Sequence, residues 1–163
     1  VERDTFIEII EQHQNLIFKI CCSYCSDSEN RKDLQQEILI QLWNSFSKFD
    51  GRVKMSTWIY KVALNTAIFY YRKDIKFKSR RASIETSVIT LSDFQLDTEL
   101  NEKISMLYKF IEHFNEMDRG LIILYLDGNK YKDIADVLGI SESNVATKIN
   151  RIKNNLKKQF HNN

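Results

Sequence analysis

The chain opens with apolar positions spaced three and four apart. Phe6, Ile9, Ile10, Leu16, Ile17 and Ile20 predict a helix from Thr5 to about Cys25. Ser26-Asp27-Ser28 then breaks the pattern and supplies side chains suited to capping the next helix. There Leu34, Ile38, Leu42 and Phe46 recur every four residues, opposite a face carrying Asp33, Glu37, Ile40 and Asn44, with Gln36 and Gln41 at its margins. Phe49-Asp50-Gly51 ends that helix, and Ser56 or Thr57 is placed to cap a third, running to about Asp74. Residues 79–99 lose any sustained period and read as a flexible linker. Periodicity returns in Leu100–Asn115 and Asp118–Leu126, then in Tyr131–Leu138 and Ser141–Lys158. The predicted fold is all-α: two small helical domains, 1–78 and 100–163, joined by the segment 79–99.

Composition agrees. The chain of 163 residues has no proline and only four glycines, too few breakers for a strand-rich fold. No apolar run is long enough to span a bilayer, and Val1-Glu2-Arg3-Asp4 lacks the order of a signal peptide, so a cytoplasmic protein is expected. Cys21, Cys22 and Cys25 are odd in number and bunched, unlike a disulfide framework. Cys22-Ser-Tyr-Cys25 has no second pair to complete a zinc site. His13, His113 and His161 are scattered, and there is neither a nucleophile–base pair nor a phosphate-cradling glycine loop. An enzyme, a metal and a cofactor are therefore not expected, nor is a small-molecule substrate.

Net charge is only +2, but it is unevenly distributed. Six basic residues against Asp74 fill Arg72–Arg81, five acids against Lys103 fill Ala82–Ser105, and five basic residues against Glu142 follow Ile140. The basic blocks are candidate phosphate-binding surfaces and the acidic stretch belongs to the linker.

The sharpest local pattern is Tyr131-Lys-Asp-Ile-Ala-Asp-Val-Leu-Gly139-Ile-Ser-Glu-Ser-Asn-Val145. A short helix stops at a glycine able to take the left-handed conformation, Ile140 fills the angle, and Ser141 caps the helix that follows. In that helix Val145, Ile149, Ile152 and Leu156 face inward, whereas Asn144, Thr147, Lys148 and Arg151 face out. Amides, a hydroxyl and cations on one face suit a recognition helix in the major groove. A solvated polar face is the plainer alternative, but Ala135 and Gly139, small where two helices must approach, favour a helix-turn-helix.

Tyr131–Leu156 resembles region 4 of the sigma-70 family of transcription initiation factors. Asp118-Arg119, the apolar run Leu121–Leu126 and Asp127-Gly128 fit it too, although Phe114-Asn115 stands where many members have Leu-Pro. Lys32-Asp33-Leu34-Gln35-Gln36-Glu37-Ile38-Leu39-Ile40-Gln41-Leu42-Trp43 independently resembles region 2, as does Thr57-Trp58-Ile59-Tyr60-Lys61-Val62-Ala63-Leu64-Asn65-Thr66-Ala67. Neither region 1.1 nor a folded region 3 is visible, the pattern of the extracytoplasmic-function group.

This resemblance implies an alternative sigma factor that binds RNA polymerase core, through the β′ clamp helices and the β subunit, and directs it to promoter DNA. It implies core-binding roles for Asp33, Gln36, Glu37 and Gln41, otherwise a solvated helix face. Asn65 and the loop Ser47–Ser56 would take a flipped base of the −10 element, with Phe49, Arg52, Lys61, Ile68, Arg72 and Lys73 around them; Phe49 reads equally well as a core anchor. The −35 element would be read by Ser143, Asn144, Thr147, Lys148, Asn150 and Arg151. Trp58, Ile59, Val62 and Ala63 are expected in the core. An anti-sigma partner, often membrane-bound in the family, is also implied. The competing reading is a helix-turn-helix regulator that binds duplex DNA without a polymerase-core role.

Overall fold

The computed structural model describes residues 2–78 and 98–161; the linker residues 79–97, with their acidic and apolar side chains, lie outside the described residues. Seven helices make up the described residues: α1 (Glu2–Tyr24), α2 (Ser28–Phe46), α3 (Met55–Lys78), α4 (Thr98–Ile111), α5 (Glu116–Leu126), α6 (Tyr131–Leu138) and α7 (Glu142–His161). The all-α expectation holds. Several boundaries move: α3 starts before Ser56 and Thr57, which therefore do not cap it, and α4 takes up the last two residues assigned to the linker.

Helices α1–α3 form a three-helix body. The every-four-residue stripe of α2 is its centre, since Leu34, Ile38 and Leu42 are fully buried against Ile17 and Ile20 of α1 and Ile59, Ala63 and Leu64 of α3. Trp58 and Val62 are only half-buried, at the edge of that core. The Asp27 carboxylate caps α2 by accepting from the Asn30 amide at 3.0 Å. At the far end Phe6 meets Trp43 and Phe46 edge-on, with ring centroids 5.0 and 5.3 Å away. Cys21, Cys22 and Cys25 are buried thiols, and burial pushes Cys21 up to about 12, so it stays protonated at neutral pH.

The second body, α4–α7, holds the helix-turn-helix as predicted. Gly139 has φ +68°, and its amide and that of Ile140 close the end of α6 on the Ala135 carbonyl. The Ser141 hydroxyl accepts from the Asn144 amide at 3.1 Å, capping α7. Asn115, in place of the proline common in the family, caps α5 instead, its side chain accepting from the Asp118 amide at 2.9 Å.

The sequence does not announce that the two bodies dock. Helices α1 and α3 pack against α5, α3 also packs against α6, and one continuous core runs through both. Gly120 sits where α5 comes closest: a Cβ there would stand 3.2 Å from the Tyr24 hydroxyl and 3.4 Å from Leu64 and Leu138. Beside it lies Arg119, almost fully buried, whose guanidinium donates to the carbonyls of Ser23 (3.1 Å), Glu112 (2.8 Å) and Phe114 (2.8 Å) and to the Tyr71 hydroxyl (3.1 Å). Four acceptors let a cation stay buried without a carboxylate. Tyr24 donates to the Glu116 carbonyl, while Tyr60 and Lys19 both reach the Asp127 carboxylate. Burial, aided by Asp127, raises the Tyr60 hydroxyl well above its ordinary range and keeps it a donor.

Candidate nucleic-acid interface

On α2, Asp33, Gln36 and Gln41 are exposed and Glu37 is half-buried, with the Gln41 amide donating to the Glu37 carboxylate at 3.0 Å. Ile40 and Trp43 are exposed beside them. The face is thus acidic with an apolar margin, suited to a basic partner helix.

The exposed side of α3 meets this face across an open groove of about 790 Å³ lined by Glu37, Gln41, Asn65, Phe69, Lys73 and Phe77. The structure corrects the sequence reading here. Ile68, expected to offer an apolar contact alongside Lys61, Asn65 and Arg72, is buried in the continuous core. Phe69, its neighbour in sequence, is the apolar group in the open, 72% exposed, with Phe77 two turns further on. The spacing Asn65–Phe69–Lys73–Phe77 could have revealed them: an amide, aromatics and a cation at four-residue intervals on one stripe. Aromatic faces and cations on a groove provide stacking and phosphate attraction for a single strand.

In the loop before α3, Phe49 is half-buried with its ring centroid 5.3 Å from that of Trp58, which supports the anchor reading. Arg52 is exposed and pairs with Asp50 at 3.2 Å. Arg72 is turned to the second body, where it donates to the Glu116 carboxylate at 2.8 Å. That bond, at a helix start, holds the Glu116 carboxyl below its ordinary range.

On α7, Ser143, Asn144, Thr147, Asn150 and Arg151 are exposed, opposite the buried Val145, Ile149 and Ile152. Thr147 donates back to the Ser143 carbonyl at 3.0 Å. Lys148 and Arg151 both reach Asp118 of α5, at 3.2 and 2.8 Å. Asp118 is the residue that sequence reasoning missed in a site role, because it lies 30 and 33 positions from its partners. No group of three potential metal ligands is assembled among the described residues, and none of the described helices is long and apolar enough to cross a membrane.

A helix-turn-helix with an exposed polar recognition face, docked on a helical body bearing an aromatic-and-cation groove, defines a DNA-reading transcription factor. Comparisons with known proteins give the family. Residues 9–76 match Sigma-70 region 2 and residues 105–156 match Sigma-70, region 4. Curated relatives include the RNA polymerase sigma factor YlaC of Bacillus subtilis (strain 168), 25% identical, with 97% of this chain and 93% of that one aligned. The ECF RNA polymerase sigma factor SigW of the same organism is 24% identical over 98% of this chain and 90% of its own. Among solved structures, the sigma factor RpoE in complex with the anti-sigma factor NepR from Bartonella quintana superposes with a TM-score of 0.80 at 16% identity, covering 96% and 97% of the two chains. CnrH in complex with the cytosolic domain of CnrY gives 0.64 at 19% identity, covering 99% and 90%. The chain belongs to the sigma-70 family, in its extracytoplasmic-function group.

Proposed function

We propose that this protein is an alternative sigma factor that joins RNA polymerase core in the cytoplasm and selects promoters by two separate readings of DNA. Residues 1–78 act as the region 2 domain. Asp33, Gln36, Glu37 and Gln41 of α2 take the β′ clamp helices, while Arg52, Lys61, Asn65, Phe69, Arg72 and Lys73 take the melted −10 strand and Phe49 anchors the loop against Trp58. Residues 100–163 act as the region 4 domain, also reaching the β subunit, with Ser143, Asn144, Thr147, Lys148, Asn150 and Arg151 at the −35 element; 79–99 tethers the two. The observation that carries this is the pairing, in one chain and in family order, of a groove suited to a single strand with a recognition helix suited to a duplex. The family is non-enzymatic, and the chemistry belongs to the polymerase. An anti-sigma partner is supported by the likeness in fold to RpoE, solved with the anti-sigma factor NepR bound.

Physical scale adds a requirement. Elements centred near −35 and −10 lie about 25 base pairs apart, roughly 85 Å of duplex at about 3.4 Å per pair. A compact chain of this length measures roughly 40 Å across. The docked arrangement cannot read both elements together, so the seam at Arg119 and Asp127 opens when the factor is installed on polymerase and promoter.

Fluorescence titration of labelled protein with bacterial core polymerase tests the first step. Saturable binding, weakened at least tenfold by the double charge reversal Asp33→Lys and Glu37→Lys, is expected. Duplex binding without core binding would favour a free-standing helix-turn-helix regulator.

A further inference from the structure

The Asp118 carboxylate is only 4% exposed, yet it sits at the base of the recognition helix with both oxygens occupied from that helix. Its Oδ1 accepts from Lys148 Nζ at 3.2 Å, and its Oδ2 accepts from Arg151 Nη2 at 2.8 Å and from Asn115 Nδ2 at 3.3 Å. The carboxylate is itself fixed. Asp118 lies in the first turn of α5, its amide donates to the Asn115 cap, and the start of a helix favours a negative charge.

The two cations are held differently. The Lys148 side chain is 22% exposed and largely used up in covering the carboxylate, whereas that of Arg151 is 55% exposed. A guanidinium is a rigid plane with five N–H donors. Pinned through Nη2, it keeps its remaining donors in solvent in one orientation. Reading guanine requires two such donors aimed together at O6 and N7, and their value depends on that alignment being set beforehand.

We propose that Asp118 is a positioning residue for −35 recognition: it aims the Arg151 fork at a base edge, while Lys148 neutralises the carboxylate and does not itself read DNA. This rests on the sigma-factor reading above. It reassigns Lys148 from the reading face to the support behind it and predicts a preference for guanine at the position Arg151 meets.

The test uses full-length protein reconstituted with bacterial core polymerase, and competition binding with promoter duplexes carrying each base at every −35 position. With the wild-type chain, one position should prefer guanine. In Asp118→Asn that preference should fall by about tenfold. Affinity for a scrambled −35 duplex should rise, and the slope of log K against log salt should steepen by about one as cations leave the carboxylate. Adding Arg151→Ala to Asp118→Asn should cost no further discrimination. Should Asp118→Asn fail to bind core, Arg151→Lys decides: it keeps the charge on Asp118 but loses the rigid, pre-aimed plane, so guanine preference should fall by about tenfold with the salt slope unchanged. A guanine preference undiminished in either variant overturns this inference alone, as does equal weakening on all sequences at unchanged slope. A wild-type holoenzyme indifferent to −35 sequence overturns the sigma reading and this inference with it.

Discussion

The two surfaces proposed to face DNA are built on opposite plans. On α3, Asn65, Phe69 and Lys73 stand exposed along an open groove, with Lys61 exposed one turn before them. On α7 the two cations of the outer face are tied to a buried carboxylate one helix away. The difference suits the nucleic acid proposed for each surface. A melted strand is flexible and offers π-faces and phosphates, so stacking surfaces and mobile charges suffice. A duplex presents fixed donors and acceptors at the floor of a groove, and reading them demands side chains whose directions are already set. The seam between the surfaces uses the second plan as well, with Arg119 donating to four acceptors drawn from both bodies.

The largest effect should come from breaking that seam. Arg119→Ala strands the buried Ser23 carbonyl and leaves the part-buried Glu112 and Phe114 carbonyls without this donor, and should lower stability by about 3–5 kcal/mol, read by chemical denaturation. Next is Phe69→Ala, which removes a stacking surface worth about 1–3 kcal/mol per base. Promoter opening, followed by permanganate reactivity of unpaired thymines, should drop roughly tenfold, while fold stability changes by under about 0.5 kcal/mol because the ring packs little. Stability unchanged and opening unchanged together would remove Phe69 from the reading surface.

The contrast between those two residues shows what the sequence could and could not convey. Local features were legible: the stripe Leu34, Ile38, Leu42, the cap at Asp27, and the Gly139–Ser141 turn are all written in neighbouring residues. Ile68 was misread because it shares a helical face with Lys61, Asn65 and Arg72, and nothing in α3 itself says that α5 and α6 will pack on that helix. Arg119 meets Ser23 across 96 positions and Tyr71 across 48, so no periodicity could place them together. The two family regions are legible in the sequence; their docking, and the ion pairs behind Arg151, depend on tertiary contacts.

A smaller effect is expected on the side proposed to read duplex DNA. Ser141→Ala removes the cap of α7 and should cost about 1 kcal/mol, with −35 discrimination reduced and −10 opening preserved. The smallest concerns pH. The Glu116 carboxyl is held below its ordinary range chiefly by its hydrogen bond from Arg72. Its stabilising contribution is therefore present above the unfolded value of about 4.3 and is lost as pH falls through the lower folded value. Because Arg72 is mostly exposed, solvent screens the pair and the contribution is slight. Glu116→Gln should flatten the acid limb of a stability-versus-pH curve and leave neutral stability nearly unchanged.

On the function proposed above, this chain confers promoter choice on a polymerase that lacks it. Run-off transcription measures this directly, with bacterial core polymerase alone and with the protein added, on a template library varied at the −35 and −10 elements. New transcripts from a defined subset of templates, lost in Asn65→Ala and Arg151→Ala, are the predicted result. A core polymerase whose transcripts are unchanged by the protein, although its C-terminal helices still bind duplex DNA, would contradict the account.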